Sequence, residues 1–128
     1  MNPPVSIWKP KQFFDTAAHP DHVTFDDGTE QRRNIPWVDY VEGCWDHAEP
    51  HIIRVEIGNW LVLIRGCNLG PIFVAIEERT LLRLRAQPGR DGNPDHANDS
   101  FATEIRFLRA PSALPPQPGG QIELGLGG

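Results

Sequence analysis

The chain is short of cysteine, methionine and positive charge. Its 128 residues include two cysteines and one methionine, so a disulfide framework like that of small secreted domains is excluded. Apolar residues never continue for the roughly 18 positions of a membrane-spanning helix, so no membrane span is expected. The net charge of −5 argues against nucleic acid as the main partner, because phosphate contacts need a basic surface.

What remains is the composition of an ordinary globular domain. Hydrophobic residues make up 39% of the chain and charged residues 23%, and a chain of this length can build one domain with its own core. The segment Met1–Lys9 lacks the apolar stretch of a signal peptide. The cysteines, Cys44 and Cys67, fit a reducing compartment as small buried groups. We therefore expect a cytoplasmic protein without a membrane partner.

Proline and glycine indicate where the domain begins and ends. The 13 Pro and 12 Gly residues concentrate at the two ends of the chain and in one loop. This distribution predicts an irregular Pro-rich arm over residues 1–21, a single α+β domain over 22–110, and a flexible Pro/Gly-rich tail over 111–128. The aromatic residues of the arm are expected to dock on the body and cover a sheet edge, and a partner-binding arm is the alternative.

The clearest local signal is a β-hairpin over His51–Gly66. The dipeptide Gly58-Asn59 separates two runs of β-branched, aliphatic and aromatic residues, and Gly at the first central position suits a two-residue type II′ turn. This turn pairs Ile57 with Trp60 and fixes the register of the pairs that follow. Because side chains alternate along a strand, one face of the hairpin is wholly apolar and the other is only half apolar.

The segments that follow the hairpin complete the predicted fold. Apolar residues at helical spacing, with Pro71 in the first turn, predict a helix that packs across the apolar face of the hairpin. Alternation predicts two more strands, over residues 81–86 with Leu82 and Leu84 inward, and over residues 101–110. We therefore expect an α+β two-layer sandwich, in which one helix packs on a mixed or antiparallel sheet of four or five strands (a ββαββ core).

An additional helix and strand are expected before the hairpin. The segment His22–Phe25 is typical of a short strand that enters a turn. Apolar residues then recur at helical spacing over residues 37–48, with Asn34 as a candidate N-cap and Pro50 as the stop. This pattern predicts a second helix, and a strand over Trp37–Val41 is the alternative.

Four thiol and imidazole groups form a candidate zinc site. Cys44, His47 and His51 have Cys-x-x-His-x-x-x-His spacing, and the first two share a face if they lie on a helix. The hairpin register places His51 opposite Gly66, so Cys67 lies at the same end of the hairpin. Two cysteines and two histidines are a zinc ligand set, and no cofactor other than this zinc is expected. The alternative is two buried cysteines with surface histidines.

The sequence holds no complete motif for catalysis or for calcium. The loop Asp91–Asp99 resembles a calcium loop in its alternating oxygen ligands, but His96 and Ala102 stand where Gly and Glu are needed. The chain as a whole contains no Gly-x-Ser-x-Gly or His-Glu-x-x-His motif and no phosphate-cradling glycine loop. We therefore expect a protein that is not an enzyme.

Arginines on the predicted strands form a candidate binding surface. Arg83 and Arg85 face outward on one strand, and Arg54 and Arg65 lie on the outer face of the hairpin, which together make a cationic surface for an acidic partner. The alternative is a solvated face paired with neighbouring acids. With Trp45, if it is exposed, these residues predict a small non-enzymatic protein-interaction module that works through a sheet face or an exposed strand edge. The sequence leaves open whether the protein forms a homo-oligomer.

The C-terminus, Leu124-Gly-Leu-Gly-Gly128, offers another interpretation. A tail that ends in Gly-Gly after the order strand, strand, helix, strand, strand resembles a ubiquitin-like β-grasp modifier. The resemblance implies that the tail threads a narrow channel to an activating enzyme, which only residues without side chains allow. It also implies that Gly128 is the conjugated residue. A ubiquitin-like modifier is therefore an alternative function, as is a zinc-stabilised small domain.

Overall fold

The computed structural model describes residues 13–89 and 99–111. In these residues the chain forms eight strands, one 3-10 turn and one α-helix. Their bounds are β1 Phe14–Thr16, β2 His22–Asp26, β3 Arg32–Pro36, the 3-10 turn Trp37–Asp39, β4 Tyr40–Cys44, β5 Ile52–Ile57, β6 Trp60–Cys67, α1 Gly70–Glu77, β7 Leu81–Arg85 and β8 Phe101–Arg109. No helix in this part of the chain has the length and apolarity needed to cross a membrane.

The structure confirms the predicted hairpin and its register. β5 and β6 are antiparallel, and their pairing runs without a slip from Ile57 opposite Trp60 to Ile52 opposite Arg65. Gly58 has a φ of +60°, as the first central residue of a type II′ turn requires. β4 and β8 flank the hairpin, which gives a four-stranded antiparallel sheet in the order β4-β5-β6-β8.

The remaining four strands form a second sheet in the order β1-β7-β2-β3. β2 and β3 are antiparallel neighbours, while β7 runs parallel to β2 and antiparallel to β1. The predicted fold class is therefore wrong, because the protein is mostly β and its helix does not pack on a single ββαββ sheet. The order β5, β6, α1, β7, β8 is present, but β7 joins strands from the beginning of the chain. The single sheet of a β-grasp fold is not found in the described residues.

One hydrophobic core lies between the inner faces of the two sheets. β2 contributes Val23 and Phe25, and α1 contributes Ile72 and Ile76, all four with no exposed surface. The hairpin contributes its alternating inner residues, which are equally buried: Ile53, Val55, Ile57, Val62 and Ile64. Burial of each such side chain stabilises the fold by about 1.5–3 kcal/mol, so the two sheets are held together mainly by this shared core.

Residues 37–48 do not form the predicted second helix. The 3-10 turn leads directly into β4, which pairs with β5. Trp37 is buried, and its indole N–H donates to the carbonyl oxygen of Leu81 at 3.0 Å. Tyr40 packs edge-to-face on this ring with the centroids 5.5 Å apart, and burial is the main cause that raises its pKa. Val41 and Cys44, which share the helical spacing with these two residues, are exposed. The spacing therefore does not mark the buried face of a helix, and the strand alternative is nearer to the structure.

Smaller predictions differ in detail. α1 confirms the predicted helix after the hairpin. Leu82 was predicted to face inward, but its side chain is exposed. Asp15 of β1 pairs with Arg83, and the next residue, Thr16, pairs with Leu81. Leu82 is therefore the extra residue of a bulge in β7. β1 is a strand inside the segment predicted to be an irregular arm. Most of that arm and nearly all of the predicted tail lie outside the described residues.

Candidate functional site

The four arginines predicted to form one cationic surface lie on two different sheets. Arg54 and Arg65 belong to the hairpin sheet, whereas Arg83 and Arg85 belong to β7 of the other sheet. The outer faces of two sheets packed on one core point away from each other, so the structure does not bring these side chains together. Each has a carboxylate neighbour, with nitrogen–oxygen distances of 3.0, 3.5, 3.8 and 4.0 Å for Arg54–Glu49, Arg65–Glu104, Arg83–Asp15 and Arg85–Asp26. Such surface pairs contribute little stability.

Trp45, the aromatic candidate of that surface, is half-buried beside α1. Its ring centroid lies 5.6 Å from that of Phe73, and its indole N–H donates to the carbonyl oxygen of Pro50 at 3.0 Å. A Cβ added to Gly70 at the start of α1 would lie 3.6 Å from the same ring. Trp45 therefore braces the connection between β4 and β5 against the helix.

The candidate zinc ligands are only partly brought together. The N–H of Gly66 donates to the carbonyl oxygen of His51 at 3.1 Å, so His51 and Cys67 do lie at the same end of the hairpin. Cys44 instead lies on β4 and His47 in the turn after it, and both are exposed. Among the residues that the structure describes, no three His, Cys, Asp or Glu side chains are grouped to hold a metal ion.

Two other sequence candidates fall on residues that are not described. Gly128 of the Gly-Gly terminus lies outside the described ranges, as do residues 91–98 of the calcium-like loop. Asp99, the last acid of that loop, is 2% exposed. Its carbonyl oxygen accepts a hydrogen bond from Nδ2 of Asn68 at 2.9 Å, which ties the end of the loop to the turn before α1.

A different group of side chains lies where edge strands of the two sheets approach each other. β3 is an edge strand of one sheet, and β8 is an edge strand of the other. Arg33 on β3 contacts the rings of Trp60 on β6 and Phe107 on β8, and Arg109 contacts Trp60 from the end of β8. We call Arg33, Trp60, Phe107 and Arg109 the arginine–indole cluster.

Strand alternation places both arginines of the cluster at inward-facing positions. Arg33 pairs with the fully buried Phe25 and lies two residues before the buried Ile35. Arg109 pairs with Trp60 at the end of the β6–β8 ladder. Residues two apart on a strand share a face, so guanidinium groups occupy positions at this side of the sandwich where the pattern calls for apolar side chains.

The guanidinium groups lie close to the aromatic rings. Cζ of Arg33 is 3.9 Å from the ring centroid of Trp60 and 5.5 Å from that of Phe107. Cζ of Arg109 is 4.7 Å from the Trp60 centroid. The two rings pack edge-to-face with their centroids 6.3 Å apart. Each guanidinium–indole contact contributes about 0.5–1 kcal/mol when exposed and about 2 kcal/mol when desolvated, which helps to fix both cations in place.

The two positive charges of the cluster have no counter-charge in residues 13–89 and 99–111. No carboxylate oxygen there lies within 4.0 Å of the guanidinium nitrogens of Arg33 or Arg109. Nε of Arg33 is buried and has no hydrogen-bond partner among the described residues. A buried donor without an acceptor costs about 1–3 kcal/mol, and more when the group is charged. An anion that binds at the cluster would supply the counter-charge.

An open groove borders Trp60 on the side of the hairpin turn. It is lined by Asn34, Asp39, Gly58, Asn59 and Trp60, among others. Asp39 adds a negative charge to this groove, whereas among the described residues no carboxylate oxygen lies within 4.0 Å of the guanidinium nitrogens of Arg109. An acidic ligand is therefore attracted more strongly along β8 than in the groove.

Sequence reasoning missed this cluster, although a signal for it exists. Alternation along the last strand puts the apolar Ile105 and Phe107 on one face, and the same face continues to Arg109. An arginine at a position that should face a core is the feature to look for, but its aromatic contacts depend on how the two sheets approach.

Comparison with known proteins identifies no relative from which a function can be taken. The chain matches no protein-family model, no curated protein and no solved structure. A function is therefore inferred from the chemistry of the arginine–indole cluster and of the strand edges beside it.

Proposed function

We propose that the protein is a small non-enzymatic protein-interaction module that binds an acidic segment of a partner at the arginine–indole cluster. The observation that carries this proposal is that Arg33 and Arg109 lack a carboxylate neighbour in the described residues. By contrast, each of the four arginines predicted from the sequence has one. The cluster therefore holds positive charge that the described part of the fold leaves available.

The side chains of the cluster are suited to recognition rather than to proton transfer. A guanidinium group stays protonated at any physiological pH, and the rings of Trp60 and Phe107 carry no titratable group. The planar fork of arginine matches a carboxylate with two parallel hydrogen bonds. Tryptophan and arginine are also the residue types that most often dominate binding energy at protein interfaces.

The negative net charge of the chain is compatible with an acidic partner. At physiological ionic strength, charges on a surface are largely screened beyond about 8 Å, so the nearby arginines outweigh distant acids. Binding should consequently weaken as salt is added. The two cysteines are free thiols, which supports a cytoplasmic location as part of the same proposal.

The test compares two double variants that remove the same charge. R33Q/R109Q removes both guanidinium groups of the cluster, whereas R32Q/R83Q removes two exposed arginines of the sheet that contains β3. The probe is a fluorescein-labelled, C-terminally amidated peptide, Glu-Val-Glu-Val-Glu-Val, and its binding is followed by fluorescence anisotropy. Since charged hydrogen bonds contribute about 1.5–3 kcal/mol, we expect R33Q/R109Q to weaken binding by about tenfold or more.

The matched variant R32Q/R83Q should change the affinity by less than about twofold, because Arg32 is exposed on the opposite face of β3 and Arg83 lies beside Asp15. Equal weakening by both variants would show that binding is only general charge attraction, and would contradict the proposal. The wild-type protein failing to bind the peptide at about 1 mM, an affinity of about 4 kcal/mol, would contradict it as well. Thermal unfolding of each variant establishes that it is folded.

A further inference from the structure

We propose, building on the proposed function, that the partner segment binds as an added β-strand along the free edge of β8, with its acidic side chains turned toward Arg33 and Arg109. β8 spans Phe101–Arg109 and has a strand beside it on one side, β6. On its other side, the N–H of Gln87 donates to the carbonyl oxygen of Ala102 at 2.7 Å. Beyond that bond, no strand of the described chain lies along residues 103–109.

The backbone hydrogen bonds show which amides of β8 point to the free edge. The N–H of Ala110 donates to the carbonyl oxygen of Asn59 at 3.0 Å. In an antiparallel ladder, hydrogen-bonded and non-hydrogen-bonded pairs alternate. Leu108 and Arg106 therefore bond to β6, whereas the N–H groups of Phe107 and Ile105, together with that of Arg109, point away from it.

The edge is long enough for a specific peptide. Seven residues at about 3.4 Å each give an edge of roughly 20 Å, which accommodates a segment of six residues. Added strands gain affinity from main-chain hydrogen bonds and specificity from alternate side chains. The inward positions of β8 nearest its end are Phe107 and Arg109, with Arg33 of β3 against Phe107.

The positive charge at these inward positions determines which kind of strand can be added. Inward-pointing charges on edge strands are a device by which proteins prevent unspecific edge pairing. An apolar strand would desolvate Arg109 and Arg33 without pairing them, and a second copy of β8 would bring further arginines to the same place. A strand with acidic residues at alternate positions neutralises both guanidinium groups, so it is the occupant that the cluster favours.

The outer face of β8 sets the pattern of the other side chains. Leu108 is 40% exposed there and pairs with Leu61 of the neighbouring strand. An apolar side chain on the outer face of the added strand would pack beside these two leucines. The sequence pattern that fits the edge is therefore alternating acidic and apolar, which is the pattern of the Glu-Val probe.

The first test uses two N-methylated versions of the amidated Glu-Val-Glu-Val-Glu-Val peptide. One carries N-methyl groups on its Glu residues and the other on its Val residues, so the two block opposite edges of the extended peptide. Strand addition predicts that one version loses at least about tenfold in affinity, while the other binds within about threefold of the unmodified peptide. Each version serves as the control for the other.

The second test measures amide hydrogen exchange in β8 with and without the unmodified peptide. The amides of Ile105 and Phe107 should gain about tenfold or more in protection, because they acquire acceptors. The amides of Arg106 and Leu108 already bond to β6 and should change much less.

The outcomes separate this inference from the proposed function. If both N-methylated peptides bind equally, or if Ile105 and Phe107 gain no more protection than Arg106 and Leu108, strand addition is wrong. In that case the proposed function still stands, provided that binding of the unmodified peptide depends on Arg33 and Arg109. If the unmodified peptide binds regardless of these arginines, both proposals fail.

Discussion

The core between the two sheets is covered by different kinds of side chain at its two sides. On one side α1 contacts β4 and β7, which belong to different sheets, and brings Ile72 and Ile76 into the core. On the other side the edge strands β3 and β8 approach each other, and Arg33 and Arg109 stand at inward positions next to aromatic rings. One side is closed by apolar packing and the other by two cations that no carboxylate of residues 13–89 and 99–111 pairs.

The packing on the helical side leaves little free space. A Cβ added to Gly43 of β4 would lie 3.4 Å from Cγ2 of Ile76, 3.6 Å from Cε1 of Phe73 and 2.9 Å from the hydroxyl of Tyr40. By contrast, the cluster side retains a buried nitrogen without an acceptor. Natural proteins commonly give up stability at functional sites, so we infer that the helical side supports the fold and the cluster side supports binding.

The largest expected effect lies on the helical side. Ile76→Ala removes a fully buried side chain and leaves a cavity, which should lower the free energy of unfolding by about 2–5 kcal/mol. Urea unfolding measures the loss, and an unchanged m-value shows that the unfolding transition is the same. The matched control is Val74→Ala on the same helix, where the side chain is 46% exposed and the loss should stay within about 0.5 kcal/mol. Equal losses would contradict the comparison.

On the cluster side, removal of the Arg33 guanidinium group should lower the affinity for the peptide without lowering the stability of the fold. Arg33→Leu keeps apolar contact with Trp60 and Phe107 but removes the buried Nε that lacks an acceptor. Replacing an unsatisfied polar group by an apolar one is neutral or stabilising, so the free energy of unfolding should stay the same or rise by up to about 1 kcal/mol. Affinity for the Glu-Val peptide should fall about tenfold.

Arg32→Leu provides the control, because Arg32 is exposed on the opposite face of the same strand and should alter neither quantity appreciably. If Arg33→Leu instead destabilises the protein by more than about 1 kcal/mol, Arg33 stabilises the fold. The division into a side that supports the fold and a side that supports binding would then be wrong.

The parts of the fold that sequence analysis predicted correctly depend on local rules. The hairpin follows from one two-residue turn and strict alternation, which together fix Ile57 opposite Trp60. α1 follows from apolar residues at helical spacing after Pro71. The residues of both elements are close in sequence, so their pattern contains the information needed.

The parts that were missed depend on contacts between distant segments. β7 joins β2 in parallel, a pairing between residues about 60 positions apart, and no local pattern specifies it. Trp37 lies between the sheets, where its indole N–H donates to the carbonyl oxygen of Leu81. The helical spacing of the apolar residues that follow Trp37 is a coincidence. The cluster was missed for the same reason, since Arg33 and Trp60 meet only when the sheets pack.

The smallest expected effect concerns the turn that leads into β3. Oδ1 of Asp27 accepts hydrogen bonds from the backbone N–H groups of Thr29, Glu30 and Gln31 at 2.8, 2.8 and 3.1 Å. These bonds, that of Thr29 first, lower the pKa of Asp27 below its ordinary value of 3.8. A lowered pKa in the folded state means stability that is fully present above the unfolded pKa and is lost as the pH falls through the folded pKa.

Asp27→Asn should therefore be less stable than the wild type at pH 6, and the difference should shrink as the pH is lowered below about 4. Urea unfolding of both proteins between pH 6 and pH 2 measures it. Asp46→Asn is the matched control, because Oδ1 of Asp46 accepts one backbone hydrogen bond, from Ala48 at 2.8 Å, in another exposed turn. Asp46→Asn should lose less stability at pH 6 than Asp27→Asn, and an equal loss would contradict the role of the three Asp27 hydrogen bonds.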